Sequence, residues 1–223
     1  MVLPHKGYYN VIKILVVDDH DLVRTGIVRI LKDVKDFKVV AELGSGEEAV
    51  KYCREHCPDI VLMDISMPFI GGLEATRKIT RICDDAKVIC ISMPKDNPLP
   101  TKVMQAGAYG CITKDAENNE MITAIYKVHS GQKYISPEIA QLIALGQLNN
   151  ISESPFSDLS DREFEITIMK TRDEKVTEIA KYLYISAKTV NTCRYRTFDK
   201  LCVTFDLGLT HLALRHKIIQ SIA

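Results

Sequence analysis

Between Lys13 and Gly131, short runs rich in Val and Ile alternate with segments of helical periodicity, and this alternation narrows the possible folds sharply. The strand-like runs fall at 13–18, 37–43, 59–63, 87–92 and 109–113. Helical patterns lie between and after them, at about 20–34, 46–56, 72–83, 98–107 and 117–130. Apolar runs without polar alternation are those of strands buried on both faces. Strands separated by helices form βαβ units, with right-handed crossovers and a parallel sheet. The expectation is an α/β domain on a five-stranded parallel sheet.

The ends of these runs carry the chemistry. Lys13 to Val17 leads into Asp18 and Asp19, Ile60 to Met63 into Asp64, and Tyr109 to Thr113 into Lys114. In an open α/β sheet the ligand crevice lies at the carboxyl ends of the strands, so three carboxylates and one ammonium should meet there. Crowded carboxylates call for a hard cation, and Mg²⁺ prefers oxygen ligands while keeping several waters. Asp18, Asp19 and Asp64 are the candidate ligands, with the Ser66 carbonyl completing the set. Asp64 would also supply the oxygen that attacks a phosphoryl group. Lys114 and the Ser92 hydroxyl, at the end of the fourth strand, would receive that group. A strand-end Asp often only caps the next helix, and for Asp18 or Asp64 alone that account suffices. Four strand ends bearing matched groups are harder to assign to capping.

Beyond residue 131 the pattern changes. A short helix is expected over 137–144, then a polar, turn-rich stretch from Gly146 to Pro155 that reads as a linker. Ser160 and Glu163 form a capping box opening a helix to about Thr171. Helices follow at about 176–183 and 187–201, joined through Tyr184 and Ile185, and a last one runs from near Asp206 to Ile219. Two short helices on a tight turn describe a helix-turn-helix, whose second member enters the DNA major groove. The divisions expected are 12–131, 132–155 and 156–223. Net charge is zero, but from Phe156 onward 11 Lys and Arg face 9 Asp and Glu, a local +2. Lys188, Asn191, Thr192 and Tyr195 share one polar face of the third helix. Asn, Thr and Tyr can contact base edges; Lys188, Arg194 and Arg196 suit phosphates, and Thr189 adjoins them. A solvated helix face would look similar taken alone.

Seven cysteines, at 53, 57, 83, 90, 111, 193 and 202, are an odd number scattered through helices and strands. They read as reduced thiols in a cytoplasmic protein. No apolar run approaches the roughly 20 residues that span a bilayer, and residues 1–12 lack the apolar core of a secretory signal.

Several motifs are specific enough to carry a resemblance. Val17-Asp18-Asp19-His20, Met63-Asp64-Ile65-Ser66-Met67-Pro68, Ser92 and Ile112-Thr113-Lys114 resemble the receiver domain of two-component response regulators. That resemblance implies the flavodoxin-like strand order 2-1-3-4-5. Leu159 to Glu163, Glu178-Ile179-Ala180, Ile185-Ser186 and Lys188-Thr189-Val190 resemble the LuxR-type helix-turn-helix, and the two together resemble the NarL/FixJ class. Asn191, Thr192 and Tyr195 then match base-facing positions, and the last helix matches a dimerisation helix. Asp21 to Ile27, Gly71 to Lys78, Gly131 to Pro137 and Lys188 to Arg196 resemble the GacA/UvrY/LetA group. The resemblance implies a BarA/GacS-type hybrid histidine kinase as phosphodonor, promoters of small regulatory RNAs as targets, and homodimers on phosphorylation. It also implies that the unphosphorylated receiver covers the recognition helix.

Two positions depart from the pattern. Cys111 stands where receivers usually carry Tyr or Phe, and Tyr109, two residues earlier, is expected on the same face of the strand. Cys193 replaces an aromatic between Thr192 and Arg194. The expected function is a phosphorylation-gated transcription regulator, with no turnover of an external substrate. An aspartyl-phosphate phosphohydrolase is the enzymatic rival, but it needs a second acid close behind Asp64, where Ser66 stands. A regulator acting through protein contacts, indifferent to phosphate, is the other rival.

Overall fold

The computed structural model describes residues 11–92, 99–149, 154–216 and 218–219. Its first half alternates as expected: β1 (Ile12–Val17), α1 (Asp21–Lys32), β2 (Phe37–Leu43), α2 (Gly46–Glu55), β3 (Ile60–Asp64), α3 (Gly72–Ile82), β4 (Lys87–Ser92), α4 (Leu99–Gln105), β5 (Gly110–Thr113) and α5 (Asn118–His129). A sixth strand, β6 (Tyr134–Ile135), follows, then α6 (Pro137–Asn149). All pairings are parallel, in the order β2-β1-β3-β4-β5-β6.

The five-stranded sheet expected from the sequence is therefore corrected to six. Tyr134 and Ile135 pair with Gly110 and Cys111, and two residues are too few to show a strand period. Gly131, with φ of 90°, turns the chain from α5 back to the sheet edge, a conformation glycine adopts without strain.

Alternate strand residues feed two layers. Leu15, Val17, Val61, Met63, Val88, Cys90 and Cys111 face α2, α3 and α4, while Ile14, Val16, Ile60, Leu62, Ile89, Ile91 and Ile112 face α1 and α5. Both faces are thus covered, which accounts for the unbroken apolar runs. Tyr109 does not share a face with Cys111: it packs with the α1/α5 layer. The strand begins only at Gly110, so period-two alternation does not extend back to Tyr109. Cys111 is buried in the opposite layer.

Helices make up the second half: a 3₁₀ turn (Pro155–Asp158), α7 (Asp161–Thr171), α8 (Val176–Tyr182), α9 (Ala187–Leu201) and α10 (Asp206–Arg215). The Ser160–Glu163 capping box forms reciprocally at α7, and the Ser186 hydroxyl accepts from the Thr189 amide at α9. Ile166, Met169, Ile179, Leu183 and Val190 close a small core between α7, α8 and α9. Helix α6 outruns the expected 137–144 and takes in the start of the expected linker. One interior glycine, Gly146, costs a helix only about 1 kcal/mol. Residues 150–153 of that linker lie outside the described residues. Helix α10 stops at Arg215 rather than Ile219.

The helical second half docks against α3, α4 and the β3–α3 loop. Phe156, Phe164, Phe198, Leu201 and Leu209 join the same apolar cluster as the α2/α3/α4 layer. Arg77 pairs with Asp161 at 3.0 Å, and Lys102 Nζ donates to the Leu159 carbonyl at 2.7 Å while lying 5.2 Å from the Phe164 ring centre. Phe69 and Tyr182 meet at 5.1 Å.

The expectation of reduced thiols throughout is also corrected, because Cys57 and Cys83 form a disulfide. Cys57 follows the end of α2 and Cys83 caps α3, neighbouring helices on one sheet face, so their Cα atoms come within 6.2 Å. Cys53, Cys90, Cys111 and Cys193 are buried thiols and Cys202 is exposed.

Candidate functional site

The strand order creates the site. From β1 the chain goes to β2 on one side, while β3 lies on the other, and a crevice opens where the order reverses. Asp18 directly follows β1 and Asp64 ends β3, and both are fully buried. The carboxylates of Asp18, Asp19 and Asp64 and the His20 imidazole gather so that one ligand atom from each lies within 4.8 Å of the others. Lys114 reaches in from β5, two strand spacings or roughly 10 Å from β3. Its ammonium donates to Asp64 Oδ2 at 2.8 Å and to Asp18 Oδ2 at 3.1 Å. The Lys114 amide donates to the Ser92 carbonyl at 2.7 Å, and Ser92 lies one position past Ile91, the register partner of Asp64.

Local hydrogen bonds hold the carboxylates in place. The Ser66 amide donates to Asp64 Oδ1 at 3.0 Å, and the His20 amide to Asp18 Oδ1 at 2.8 Å. Arg24 donates to the Asp18 carbonyl at 2.6 Å. Gly72 opens α3 directly beneath Asp64, where a Cβ would sit 2.2 Å from the Asp64 carbonyl oxygen. Glycine is required there because the backbones approach so closely.

The electrostatics ask for a cation. Three carboxylates stand against one ammonium. Burial pushes Asp64 above the usual carboxylate range against the pull of Lys114, and the neighbouring Asp18 adds to the push. Burial alone would lower the Lys114 ammonium, but Asp64 and Asp18 outweigh it and hold it above its usual value. Asp19 Oδ1 is buried without a hydrogen bond, although His20 Nδ1 approaches it to 3.0 Å. An orphaned, negatively charged oxygen beside two more carboxylates fits a hard divalent ion.

In the second half, Lys188, Thr189, Thr192, Tyr195 and Arg196 are exposed on α9, with Asn191 half-buried beside them. Val190, Thr197 and Leu201 pack inward. The first domain does not cover this face, contrary to what the resemblance implied: its side-chain contacts go to Leu159, to α7 and Arg172, and to Tyr182 and Tyr184 around the end of α8. Arg194 also departs from its expected role, since it forms a bidentate pair with Asp206 at 2.7 and 2.9 Å, tying α9 to α10. Lys200 is engaged with Glu163 at 2.8 Å. Among the described residues, Lys188 and Arg196 are the cations of α9 without an ion-pair partner.

Residues 14–126 match the response regulator receiver domain, and residues 157–213 match the LuxR family of bacterial regulatory proteins. The chain belongs to the LuxR-type response regulators. It is 55% identical to response regulator UvrY of Escherichia coli K12 over 94% of this chain and 97% of that one. It is 50% identical to response regulator GacA of Pseudomonas aeruginosa PAO1, over 94% and 99% respectively. RcsB from Salmonella enterica serovar Typhimurium, bound to the promoter rprA with the phosphomimetic BeF₃⁻, shares the fold with a TM-score of 0.73. That likeness is at 21% identity and covers 91% of this chain and 98% of RcsB.

Three side chains that shape this response regulator carry no sequence signal as single residues. Asp206 and Lys102 are ordinary helix charges until their partners are known. Arg172, at the end of α7, donates to the carbonyls of Met67 and, at 3.1 Å, Ser66. These partners lie more than a hundred positions earlier.

Proposed function

We propose that this response regulator is a phosphorylation-activated, sequence-specific DNA-binding protein of a two-component system. Asp64 is the phospho-acceptor, and the observation that carries this reading is its burial between Lys114 and the Asp18/Asp19 pair. Asp18, Asp19, Asp64 and the Ser66 carbonyl would hold Mg²⁺, which supplies neutralisation of the phosphoryl oxygens when bound. An Asp64 carboxylate oxygen forms the new P–O bond as the donor's P–N bond breaks, and the electron pair leaves with the donor imidazole, which takes up a proton. Lys114 then bonds a phosphoryl oxygen, as does the Ser92 hydroxyl. Likeness to UvrY and GacA supports a BarA/GacS-type hybrid histidine kinase as donor and promoters of small regulatory RNAs as targets. A DNA-binding effector works in the cytoplasm. On α9, Asn191, Thr192 and Tyr195 read bases, and Lys188, Thr189 and Arg196 position the helix on phosphates.

One observation refines the gate. Because the recognition face is open in the docked arrangement, phosphorylation acts by letting two copies pair on a two-fold site rather than by uncovering α9. The test is an electrophoretic shift on promoter fragments with and without acetyl phosphate and Mg²⁺. Tighter, fragment-selective binding after treatment, lost in Asp64→Ala, is expected. Selective binding indifferent to phosphodonor in both proteins would replace this reading with the phosphate-independent regulator.

A further inference from the structure

Arg172 belongs to the effector half yet touches the acceptor loop of the receiver. It follows the last turn of α7, and its guanidinium bridges two consecutive carbonyls of the β3–α3 loop, Ser66 and Met67. Glu174 beside it and two members of the acid cluster, Asp19 and Asp64, favour its charge against the cost of burial. The loop is held from the second half at another point as well. Phe69, the next loop residue but one, holds a left-handed φ of 56° and packs on Tyr182 of α8. The loop that positions Asp64 is thus gripped from the effector side.

We infer that Arg172 is a built-in cation that competes with the divalent ion for the Ser66 carbonyl, so that metal loading of the acid site and docking of the effector oppose each other. The inference rests on the reading of Asp18, Asp19, Asp64 and Ser66 as the metal site. Its physical basis is direct. A guanidinium is permanently charged and presents paired donors in a fixed fork. A divalent cation at the same oxygen meets that charge at close range, inside a partly desolvated pocket where Coulomb forces are weakly screened. Arg172 also offsets part of the negative charge that would attract the metal. Removing it returns both the oxygen and the charge to the site.

Coupling between two binding events is reciprocal: whatever factor Arg172 takes from metal affinity, the bound metal takes from docking. The acid site and the interdomain contact then communicate through one backbone oxygen. The half-turn of loop between Asp64 and Met67 suffices, without any rearrangement of the buried Cys111.

The test measures metal binding in the full chain, using Mn²⁺ by electron paramagnetic resonance and Mg²⁺ by titration calorimetry. Arg172→Ala is expected to bind both ions at least about fivefold more tightly than the wild type, the lower end of ordinary coupling. Arg172→Lys, which keeps the charge but not the fork, should gain less. If the alanine variant is poorly folded by thermal melting, Arg172→Met serves in its place. Hydrogen exchange gives the reciprocal readout: saturating Mg²⁺ should speed exchange of amides in residues 156–164 of the wild type, and not in Asp64→Ala. Equal ion affinities in wild type and variants would overturn the inference while leaving the metal site standing. Absence of ion binding in every protein would overturn the metal site, and the inference with it.

Discussion

Gly72 and Gly26 show how differently one residue type is constrained in a single domain. A Cβ at Gly72 would lie 2.2 Å from the Asp64 carbonyl oxygen and 2.7 Å from Ile65 Cα, and both neighbours are backbone. Neither can yield without moving the acceptor loop. Gly26 lies inside α1, and nothing stands within 4 Å of its added Cβ. Gly72→Ala should therefore cost roughly 1–3 kcal/mol, the range for overpacking, and slow acceptance of phosphate from acetyl phosphate. Gly26→Ala should be neutral or stabilise by about 0.5–1 kcal/mol, because alanine is the better helix former. Thermal melts and a phosphorylation time course on both variants check this. Equal behaviour of the two would show that the loop accommodates the methyl group, and that the tight approach at Asp64 is not needed.

Helix α9 separates what local pattern reveals from what long-range contact decides. Its start at Ser186, its buried Val190, Thr197 and Leu201, and its exposed Lys188 and Thr192 all follow from capping and the helical period. Those signals lie within a few residues of one another, and the sequence displays them. The strand-end carboxylates were legible for the same reason, since each follows its own apolar run. The fate of Arg194 was not legible: its partner Asp206 lies twelve positions on, across a turn whose path the helical period does not specify. Cys57 posed the same problem. Its helical neighbour Cys53 invites attention at spacing four, whereas its partner Cys83 is brought near by the packing of α2 on α3. This difference is testable on DNA. Asn191→Ala should cost about 1–3 kcal/mol on a specific site and relax one base position, while Arg196→Ala should weaken all sequences and lower the salt slope by about 1. Arg194→Ala should leave the salt slope unchanged and instead lower the melting temperature by roughly 2–4 °C, as loss of about 1 kcal/mol from a bidentate pair predicts. A salt slope reduced in Arg194→Ala would restore its role as a phosphate contact.

Docking of the two halves depends on an ion cluster that no single segment announces. Glu165 of α7 is buried against α3, facing Glu74, Arg77 and Lys78 there and Arg162 on its own helix. Burial pushes its carboxyl up to about 8, and repulsion from Glu74 adds to this against the pull of Arg162, 2.9 Å away. Its Oε2 accepts from Arg162, but its Oε1 is buried with no hydrogen-bond partner, so the ionised carboxylate is only half compensated and burial disfavours it. The docked state therefore retains a proton that an open, solvated Glu165 releases in the ordinary glutamate range. By linkage, docking is strongest below that range, weakens as pH rises toward about 8, and levels off above it. X-ray scattering across this interval should show the radius of gyration growing with pH in the wild type. Glu165→Gln, which keeps the shape and cannot ionise, should stay compact throughout. The same titration separates two routes to an open molecule. Arg172→Ala should open through the acceptor loop and retain the pH dependence, because its contact is made to carbonyls and not to the Glu165 cluster. If Arg172→Ala abolished the pH dependence as well, the loop and the α3–α7 cluster would form one cooperative latch, and metal loading at Asp64 would then release the whole interface.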